Sequence, residues 1–412
     1  MDKENKLLAG AASRDITPNE ELMPIPFIGP VCMAKAADRL KVRVLCLECG
    51  EEKVLFVNFD MPEVPYVPKT MSFLQNLTGL DQSHIFTAAI HTHGAPFIGW
   101  PILPTTEETE KIYRRWYSDI MDMTKEAVLE AISSKHPAKL GYGEGKSYIN
   151  VNRDEKVDGK YLYGNNYERP SDKTLRLVRL ENEKGEMIAL MVNFAVHGVV
   201  VNGCMIGDDL WLSGDLPGRT ESILEEKLGG PVFWTSGAAG DQNPRVITNF
   251  GYVEGSNRIR TKSLGETGYM ILDSLSEEHA RDILKANEKL LCNEEVFSIS
   301  AAEKDVLIRK KGSSEGDAPT VPFTLKILRI GNLVVEGVSA EVVTTVGKKL
   351  CDLSDAEHTI MVTHMQGSNW YIPDDWEYEE NALVTEETLV EKGCALPVLT
   401  DAFREMLEDT KR

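Results

Sequence analysis

The segment FTAAIHTHGAPF, residues 86–97, brings an apolar strand to an abrupt end in two histidines and a glycine turn. Residues 85–90 are apolar enough for an interior strand, and a glycine and a proline then stop it. Side chains of an extended chain alternate in direction, so His91 and His93 are expected to point into one cavity at a sheet edge. Neutral imidazole is the commonest protein ligand for a metal ion. Taken alone, the HxH spacing fits either a metal site or a pair of hydrogen-bonded histidines in a strand-end loop.

The composition is that of a globular protein with a large core, because 42% of the 412 residues are hydrophobic and 27% are charged. This length accommodates one large domain or two of ordinary size. The net charge of -20 argues against nucleic acid or an anionic membrane surface as a partner. No apolar run is long enough to cross a bilayer, and the N-terminus lacks the apolar core of a signal peptide. We therefore expect a cytoplasmic protein that acts on a small molecule, with homo-oligomers left open.

The seven cysteines are scattered along the chain and odd in number, which is typical of reduced thiols. Only Cys46 and Cys49 form a CxxC pair, and no second cysteine pair completes a structural zinc site. The CxxC pair is therefore interpreted as part of a strand and its turn.

Strand-like and helix-like segments alternate along the whole chain, without an internal repeat or a low-complexity linker. Apolar residues at helical spacing predict helices over residues 69–78, 107–134, 264–291 and 399–411. The polar, glycine-containing residues 154–166 are expected to form an exposed loop. This pattern predicts an α/β fold, a layered domain with mixed β-sheets flanked by helices. We expect a single domain over residues 1–412, with a C-terminal helical cap at about 380–412.

Five predicted strands end on polar residues, which are Asp60, the pair His91 and His93, His197, Asp241 and, less clearly, Glu341. Ligands in α/β proteins collect where strand ends converge. Histidines and a carboxylate from separate elements are what a catalytic zinc site requires, with one coordination position left for water. His197 alone would also fit a buried hydrogen-bonded histidine, but the whole set favours a metal.

Nine short motifs follow one another over most of the chain: GAA (10–12), DITP (15–18), HTH (91–93), NR (152–153), NFAVHG (193–198), SGD (213–215), GAAGD (237–241), AEVVTT (340–345) and YIP (371–373). In this order they resemble the catalytic domain of the neutral, non-lysosomal ceramidase family. Each motif is short, and the ordered set carries the resemblance.

The resemblance implies one zinc ion per chain, held by His91, His197, Glu341 and Tyr371. It also implies that His93 and Arg153 bind and polarise the scissile amide. Structural alternatives exist for three of these residues. Glu341 would suit the positive end of a helix dipole, Tyr371 would suit the rim of a pocket, and Arg153 would suit an ion pair with Asp154.

The sequence departs from the family pattern in three places. Asn243, within GDQNP (240–244), replaces the serine whose hydroxyl is implicated in ceramide cleavage, and an amide cannot take that part. Residues 379–383 contain no second active-site tyrosine. The chain also ends soon after Tyr371, where ceramidases carry an additional immunoglobulin-like domain. The resemblance is thus to a divergent, short member whose substrate need not be ceramide.

The expected chemistry is hydrolysis of an amide, lactone or ester bond in a small polar substrate by metal-activated water. Positive charge from the metal, His93 and Arg153 would stabilise the oxyanion. Asp241 or Asp215 would either orient a histidine or cap a helix. Two other functions stay open. One is a metal-dependent isomerase or lyase that acts on a polyol or sugar acid, which the presence of Asn243 at the nucleophile position suggests. The other is a non-catalytic, metal-stabilised binding protein.

Overall fold

The computed structural model describes residues 6–28, 31–100, 105–254, 258–313, 319–368 and 370–411, with the backbone alone for 250–254 and 258–261. Within these ranges the chain forms 23 strands and eight α-helices. The strands are β1 (Leu8–Asp15), β2 (Ile25–Pro26), β3 (Cys32–Ala36), β4 (Lys41–Cys49), β5 (Glu52–Phe59), β6 (Ile85–Ala89), β7 (His136–Lys146), β8 (Asn150–Val157), β9 (Lys160–Asn166), β10 (Thr174–Asn182), β11 (Met187–Phe194), β12 (Leu210–Leu212), β13 (Val232–Ser236), β14 (Gln242–Pro244), β15 (Asn249–Glu254), β16 (Arg258–Ser263), β17 (Glu294–Glu295), β18 (Ile299–Arg309), β19 (Thr320–Ile330), β20 (Leu333–Val338), β21 (Glu341–Val342), β22 (His358–Val362) and β23 (Tyr371–Ile372). The helices are α1 (Val67–Thr78), α2 (Glu107–Ser133), α3 (Asp215–Leu228), α4 (Glu266–Asn287), α5 (Thr344–Cys351), α6 (Asp375–Glu380), α7 (Val384–Glu387) and α8 (Ala395–Asp409).

Two mixed sheets form the centre of the described structure. The larger has the order β13-β11-β10-β7-β1-β4-β5-β6, with β17 added beside β7, and the smaller has the order β18-β19-β20-β22. Most neighbours in them are antiparallel, but β5 and β6, β11 and β13, and β20 and β22 run parallel. Parallel neighbours end at the same sheet edge, so these three pairs set where their strand-end loops meet.

Alternating side chains bury both faces of both sheets. In β5, Val54 and Phe56 face the smaller sheet, whereas Leu55 and Val57 face helices α1 and α2. In β19 the residues facing the larger sheet likewise alternate with residues that face α5 and α8. Helices α3 and α4 cover the larger sheet over β10, β11 and β13. A strand buried on both faces is a nearly continuous apolar run in the sequence. The sheets and their covering helices form four layers, in the order helix, sheet, sheet and helix.

The predicted fold class is confirmed, because mixed sheets flanked by helices account for the described chain. The four predicted helices correspond to α1, α2, α4 and α8, with ends shifted by a few residues. Helix α2 begins where the hydroxyl of its N-cap Thr106 accepts a hydrogen bond from the backbone N–H of Thr109. No α-helix in the described ranges is both long and apolar enough to span a lipid bilayer. The assignment of one domain to the whole chain stays a prediction.

The expected exposed loop over residues 154–166 is wrong, because these residues belong to the hairpin of β8 and β9. Two residues, Asp158 and Gly159, connect the strands, and both have positive φ, 50° and 80°. Positive φ at both positions is the requirement of a type I′ turn, for which Asp-Gly is a preferred sequence. The Asp-Gly dipeptide was therefore the sequence signal for this hairpin. The hairpin places Arg153 on strand β8.

Asp60 was expected among the strand-end residues of the site, but its carboxylate belongs to a buried ion cluster. Nη1 of Arg43 lies 2.6 Å from Oδ1 of Asp60 and 3.0 Å from Oε2 of Glu221, and Nε of Arg43 lies 2.6 Å from Oε1 of Glu225. Burial raises the pKa of Glu221 well above its usual value, and Arg43 opposes that rise. The cluster joins β4, β5 and α3 inside the molecule.

Replacing the cation of this cluster is expected to be costly. Arg43→Ala leaves buried carboxylates without their partner, and breaking such a buried pair typically costs about 3 to 5 kcal/mol. Arg14→Ala is the matched control, since Arg14 pairs with the exposed Glu126 and Glu130 and should lose less than about 1 kcal/mol. Urea denaturation of both variants measures the free energy of unfolding. Equal losses would contradict the role given to the Arg43 cluster.

His279 provides a test of pH dependence away from the strand-end site. It is buried against Phe194 and Trp234, and burial lowers its pKa to about 3. The unfolded chain therefore binds a proton below about pH 6.5 that the folded chain does not bind. This contribution to stability is complete above pH 6.5 and is lost as the pH falls toward 3. Between about pH 4 and 6, the unfolding free energy of His279→Gln should fall less steeply than that of the unmodified chain, by about 1.4 kcal/mol per pH unit; equal slopes would be contrary to this reading.

Candidate metal centre

Loops at the carboxyl ends of several strands supply polar side chains to one cavity of about 460 Å³. Residues of this kind are Glu63 after β5, His91 after β6, His197 after β11, Glu341 after β20 and His364 after β22. The first four of these line the cavity, and the ring of His364 stacks on that of His91, with 3.7 Å between the ring centroids. Parallel pairing of β5 with β6 and of β20 with β22 brings these strand ends to the same side of the sheets.

The cavity gathers seven of the eight residues that were predicted for the site. They are His91, His93, Arg153, His197, Asn243, Glu341 and Tyr371. Asp241 is the exception, since it is fully buried and does not line the cavity. The roles assigned to these residues stay predictions.

Three imidazoles and one carboxylate bring their donor atoms close together. Nε2 of His93 lies 3.2 Å from Nε2 of His91, and Nε2 of His197 lies 3.0 Å from Oε2 of Glu341. The same Glu341 oxygen is 3.6 Å from Nε2 of His91. The donor atoms of the three histidines lie within 4.8 Å of one another, so they form a group that could hold a metal ion.

Backbone carbonyls fix the tautomers of two of these histidines. Nδ1 of His91 lies 3.0 Å from the carbonyl oxygen of Pro62, and Nδ1 of His197 lies 3.0 Å from that of Gln242. A carbonyl oxygen can only accept, so each Nδ1 carries the hydrogen and each Nε2 presents a lone pair to the cavity. Burial lowers the pKa of His197 to about 4 and holds the pKa of His93 well below its usual value. Both rings are therefore neutral near pH 7, the form that binds a metal ion.

Glu341 lies against the histidines. Burial alone would raise the pKa of this carboxyl, but charge and hydrogen bonding at His91 and His197 lower it well below its usual range; with both Nε2 atoms unprotonated, a bound cation would take over that stabilisation. Glu341 lies in β21, and helix α5 begins at Thr344. The carboxylate therefore contacts the histidines. These contacts do not fit the alternative in which Glu341 only stabilises the positive end of a helix dipole.

His91 and His93 converge for a reason other than the one expected from the sequence. The expectation assumed an extended chain, but His91 has a φ of 57° and adopts a left-handed conformation. The backbone N–H of His91 donates to the carbonyl of Met61, and that of His93 donates to the carbonyl of Gly198. A Cβ at Gly198 would lie 3.0 Å from the carbonyl oxygen of His91. The glycine of AVHG thus suits this close approach of two strand-end loops, where a side chain would be in tighter than ordinary van der Waals contact.

Arg153 places its guanidinium group among the ligand candidates. It lies 5.1 Å from the ring of Tyr371 and 5.2 Å from the ring of Tyr163, and its Nη1 is 3.4 Å from Nε2 of His197. Within the described chain, Nε and Nη2 of Arg153 and both carboxylate oxygens of Asp154 have no hydrogen-bond partner. These donors of Arg153 therefore remain available to a ligand, because the carboxylate of Asp154 accepts no hydrogen bond from them.

The two aspartates proposed to orient a histidine are engaged elsewhere. Asp241 accepts hydrogen bonds from the side chain of Asn152 and from the backbone and hydroxyl of Thr344. Asp215 accepts from the backbone N–H groups of Val200, Val201 and Leu216. Among the described contacts neither carboxylate bonds to a histidine, and each accepts from a backbone N–H in the first turn of a helix, α3 or α5, as in the capping alternative. Asp241 connects the neighbour of Arg153 with the start of α5, just after Glu341.

Sequence reasoning missed Glu63 and His364. Oε1 of Glu63 lies 3.1 Å from Nδ1 of His364 and 3.6 Å from Nδ1 of His91. Burial raises the pKa of Glu63 to about 8. The available signals were the position of Glu63 four residues after β5 and the position of His364 two residues after the buried strand β22. Trp100 and Tyr163 also line the cavity.

Comparisons with known proteins were consistent with one another. No family model matches the chain. Neutral ceramidase B of Dictyostelium discoideum is 24% identical over 174 residues, which are 39% of this chain and 23% of that protein. The crystal structure of neutral ceramidase from Pseudomonas aeruginosa superposes with a TM-score of 0.74 at 15% identity and covers 99% of this chain and 74% of that one. A ceramidase complexed with C2 superposes with a TM-score of 0.71 at 15% identity, covering 99% and 75% of the two chains.

The match to Dictyostelium neutral ceramidase B thus spans less than a quarter of that protein, whereas the structural similarity extends over nearly all of this chain. At these identities the similarity establishes the fold. The resemblance drawn from the ordered motifs is confirmed, and the chain has a divergent form of the neutral ceramidase fold.

Proposed function

We propose that this protein is a zinc-dependent hydrolase that cleaves an amide, lactone or ester bond in a small polar substrate. The observation that supports this most strongly is the convergence of Nε2 of His91, Nε2 of His197 and Oε2 of Glu341, with both histidines anchored through Nδ1. Ceramide is the substrate implied by the names of the similar proteins. The resemblance places Asn243 at the position of the family's serine, and this replacement argues against ceramide as the substrate of this protein.

His91, His197, Glu341 and Tyr371 would hold the ion in this proposal. Two neutral imidazoles and an ionised carboxylate are a normal donor set for catalytic zinc. When bound, a zinc ion lowers the pKa of water and polarises a carbonyl. Tyr371 is held next to Glu341, because their strands pair in register.

His93 and Arg153 would bind the reacting carbonyl. Arg153 is fully charged near neutral pH, and it has unpartnered donors inside the cavity. Donors aimed at a developing oxyanion act strongly where water is excluded. His93 is neutral, so it would donate from one nitrogen only. Its Nε2 is also near enough to Nε2 of His91 to serve as a third histidine ligand. The zinc content of His93→Ala distinguishes this role from binding of the carbonyl.

Asn243 would act on water and not on the acyl group. Its side chain is 7% exposed and lines the cavity, and in the described structure its Oδ1 has no partner. An amide oxygen can accept a hydrogen bond from water but forms no acyl intermediate. Water would thus attack the substrate carbonyl directly, without an acyl-enzyme intermediate, and the amine or alcohol would leave as the carbonyl re-forms.

The proposal extends to the whole chain and its compartment. We assign residues 1–412 to one catalytic domain, because the layers around the cavity draw on strands from β5 to β23. We place the protein in the cytoplasm, because its seven cysteines are scattered along the chain and odd in number, a pattern typical of the reduced thiols of that compartment.

Metal binding can be measured without a substrate. Zinc added to metal-depleted protein at about a hundred times its dissociation constant should raise the unfolding free energy by about 2.7 kcal/mol. Glu341→Gln should lose most of this stabilisation because it removes a ligand charge. Glu387→Gln is the control, since Glu387 lines the cavity but is exposed. If Glu341→Gln were stabilised as much as the unmodified protein, Glu341 would not be a ligand.

The reaction is tested by comparing His91→Ala with His93→Ala. A panel of N-acyl 4-nitroanilides and matching 4-nitrophenyl esters would be assayed, with zinc content measured by mass spectrometry. His91→Ala should lose zinc and hydrolysis together. His93→Ala should keep zinc, while its kcat/KM falls about a hundredfold or more, as on removal of an oxyanion donor.

Three outcomes would revise this assignment. Unchanged zinc in His91→Ala would refute the ligand set. Loss of zinc in His93→Ala would make His93 a ligand. Products of unchanged mass from polyol or sugar-acid substrates, with no hydrolysis of the panel, would support an isomerase or lyase instead.

A further inference from the structure

Glu63 places a carboxylate in the cavity with one oxygen unused. The residue is 5% exposed and lines the cavity. Its Oε1 is held by Nδ1 of His364, at 3.1 Å. Its Oε2 is buried and has no hydrogen-bond partner among the described residues. Buried carboxylate oxygens are normally satisfied, because leaving them without a partner is costly. The orphaned oxygen therefore indicates a hydrogen-bond donor or a cation that arrives with a ligand, and Glu63 also belongs, with His91 and His364, to a second group close enough to hold an ion.

An aromatic wall continues from the histidines along the same cavity. The ring of Phe97 lies 5.7 Å from that of His93, Trp100 stacks on Phe97 at 5.2 Å, and Trp370 lies 5.0 Å from Trp100. All of these residues line the cavity. Faces of aromatic rings, those of tryptophan above all, attract cations. The wall suits a positively charged group as well as an apolar one.

Charge around the cavity favours the positively charged group. The lining residues include three glutamates, Glu63, Glu341 and Glu387, and one arginine, Arg153. The proposed ion would be bound by Glu341, which leaves the carboxyl groups of Glu63 and Glu387 beside Arg153. A cation that binds next to a buried carboxyl favours its ionised form. The net charge of -20 adds a negative field around the whole molecule. A field of this sign concentrates cations at a cleft and repels anions.

The position of Glu63 relative to the proposed ion limits the length of the ligand. Oε1 of Glu63 lies 3.6 Å from Nδ1 of His91, whereas the other donor atoms meet at Nε2 of the same ring. One imidazole ring thus separates the carboxyl group of Glu63 from the proposed ion. A donor bound by Glu63 would be only a few bonds away from the carbonyl that is cleaved.

We propose that Glu63 recognises a protonated amine on the substrate. This inference rests on the proposed hydrolase function and names its substrate class, which is an amide or ester with an ammonium group a few bonds from its carbonyl. Oε2 accepts the hydrogen bond of the ammonium group, His364 holds the carboxylate through Oε1, and the aromatic wall of Phe97, Trp100 and Trp370 packs on the cation. Glu63 is thereby a specificity-determining residue.

Two pairs of matched probes test this directly. For binding to the zinc-loaded protein, 3-aminopropanamide is compared with its uncharged isostere butanamide by calorimetry. For turnover, 4-nitrophenyl 3-aminopropanoate is compared with 4-nitrophenyl butanoate. A hydrogen bond to a charged group corresponds to about ten- to hundredfold in affinity, so the charged probe should be preferred by that factor. Glu63→Gln should remove the preference while zinc is retained.

The controls separate this inference from the hydrolase proposal. Glu386→Gln changes an exposed carboxylate of the same helix α7 that carries Glu387, and it should keep the full preference. Should Glu63→Gln fail to fold or lose zinc, Trp100→Leu provides the second variant, with an expected severalfold decrease in the preference. Equal preference in the unmodified protein and in zinc-loaded Glu63→Gln would overturn the role of Glu63, even if both esters are hydrolysed. Hydrolysis of neither ester, with the binding preference intact, would instead count against the hydrolase proposal.

Discussion

The site depends on two hydrogen bonds between imidazole nitrogens and backbone carbonyls, those of His91 with Pro62 and of His197 with Gln242. They decide which nitrogen of each ring faces the cavity, and burial then keeps His197 neutral. The carbonyl of Pro62 belongs to the loop that follows β5, and that of Gln242 belongs to β14. The sheet order of the fold is therefore what orients the ligands, because each histidine is anchored by the backbone of another segment.

Most of the fold and much of the site could be predicted from the sequence, for definable physical reasons. Strands buried on both faces give apolar runs, and the polar residues that end those runs included His91, His197 and Glu341. The runs also determine which loops gather at one edge. Sequence patterns did not reveal the direction of a side chain after its strand ends. The carboxylate of Asp60 lies in a buried ion cluster, whereas Glu63, three residues later, lines the cavity.

The chemistry proposed for this cavity differs from that of a serine-dependent amidase in a way that follows from its residues. Asn243 offers a carbonyl oxygen where a hydroxyl would attack, so the burden of activation falls on water and on the cationic groups around it. Arg153 keeps free donors, and Glu63 keeps a free acceptor. A cavity with both is suited to a substrate that carries a carbonyl and an ammonium group close together, which a long neutral lipid does not provide.

The central claim is that the separate strand-end loops bind a single ion. Its most direct test is anomalous diffraction at the zinc edge from crystals of the zinc-loaded protein. The account predicts one anomalous peak within bonding distance of Nε2 of His91, Nε2 of His197 and the carboxylate of Glu341. A peak bound to other residues, or the absence of any peak among these three side chains, would contradict it.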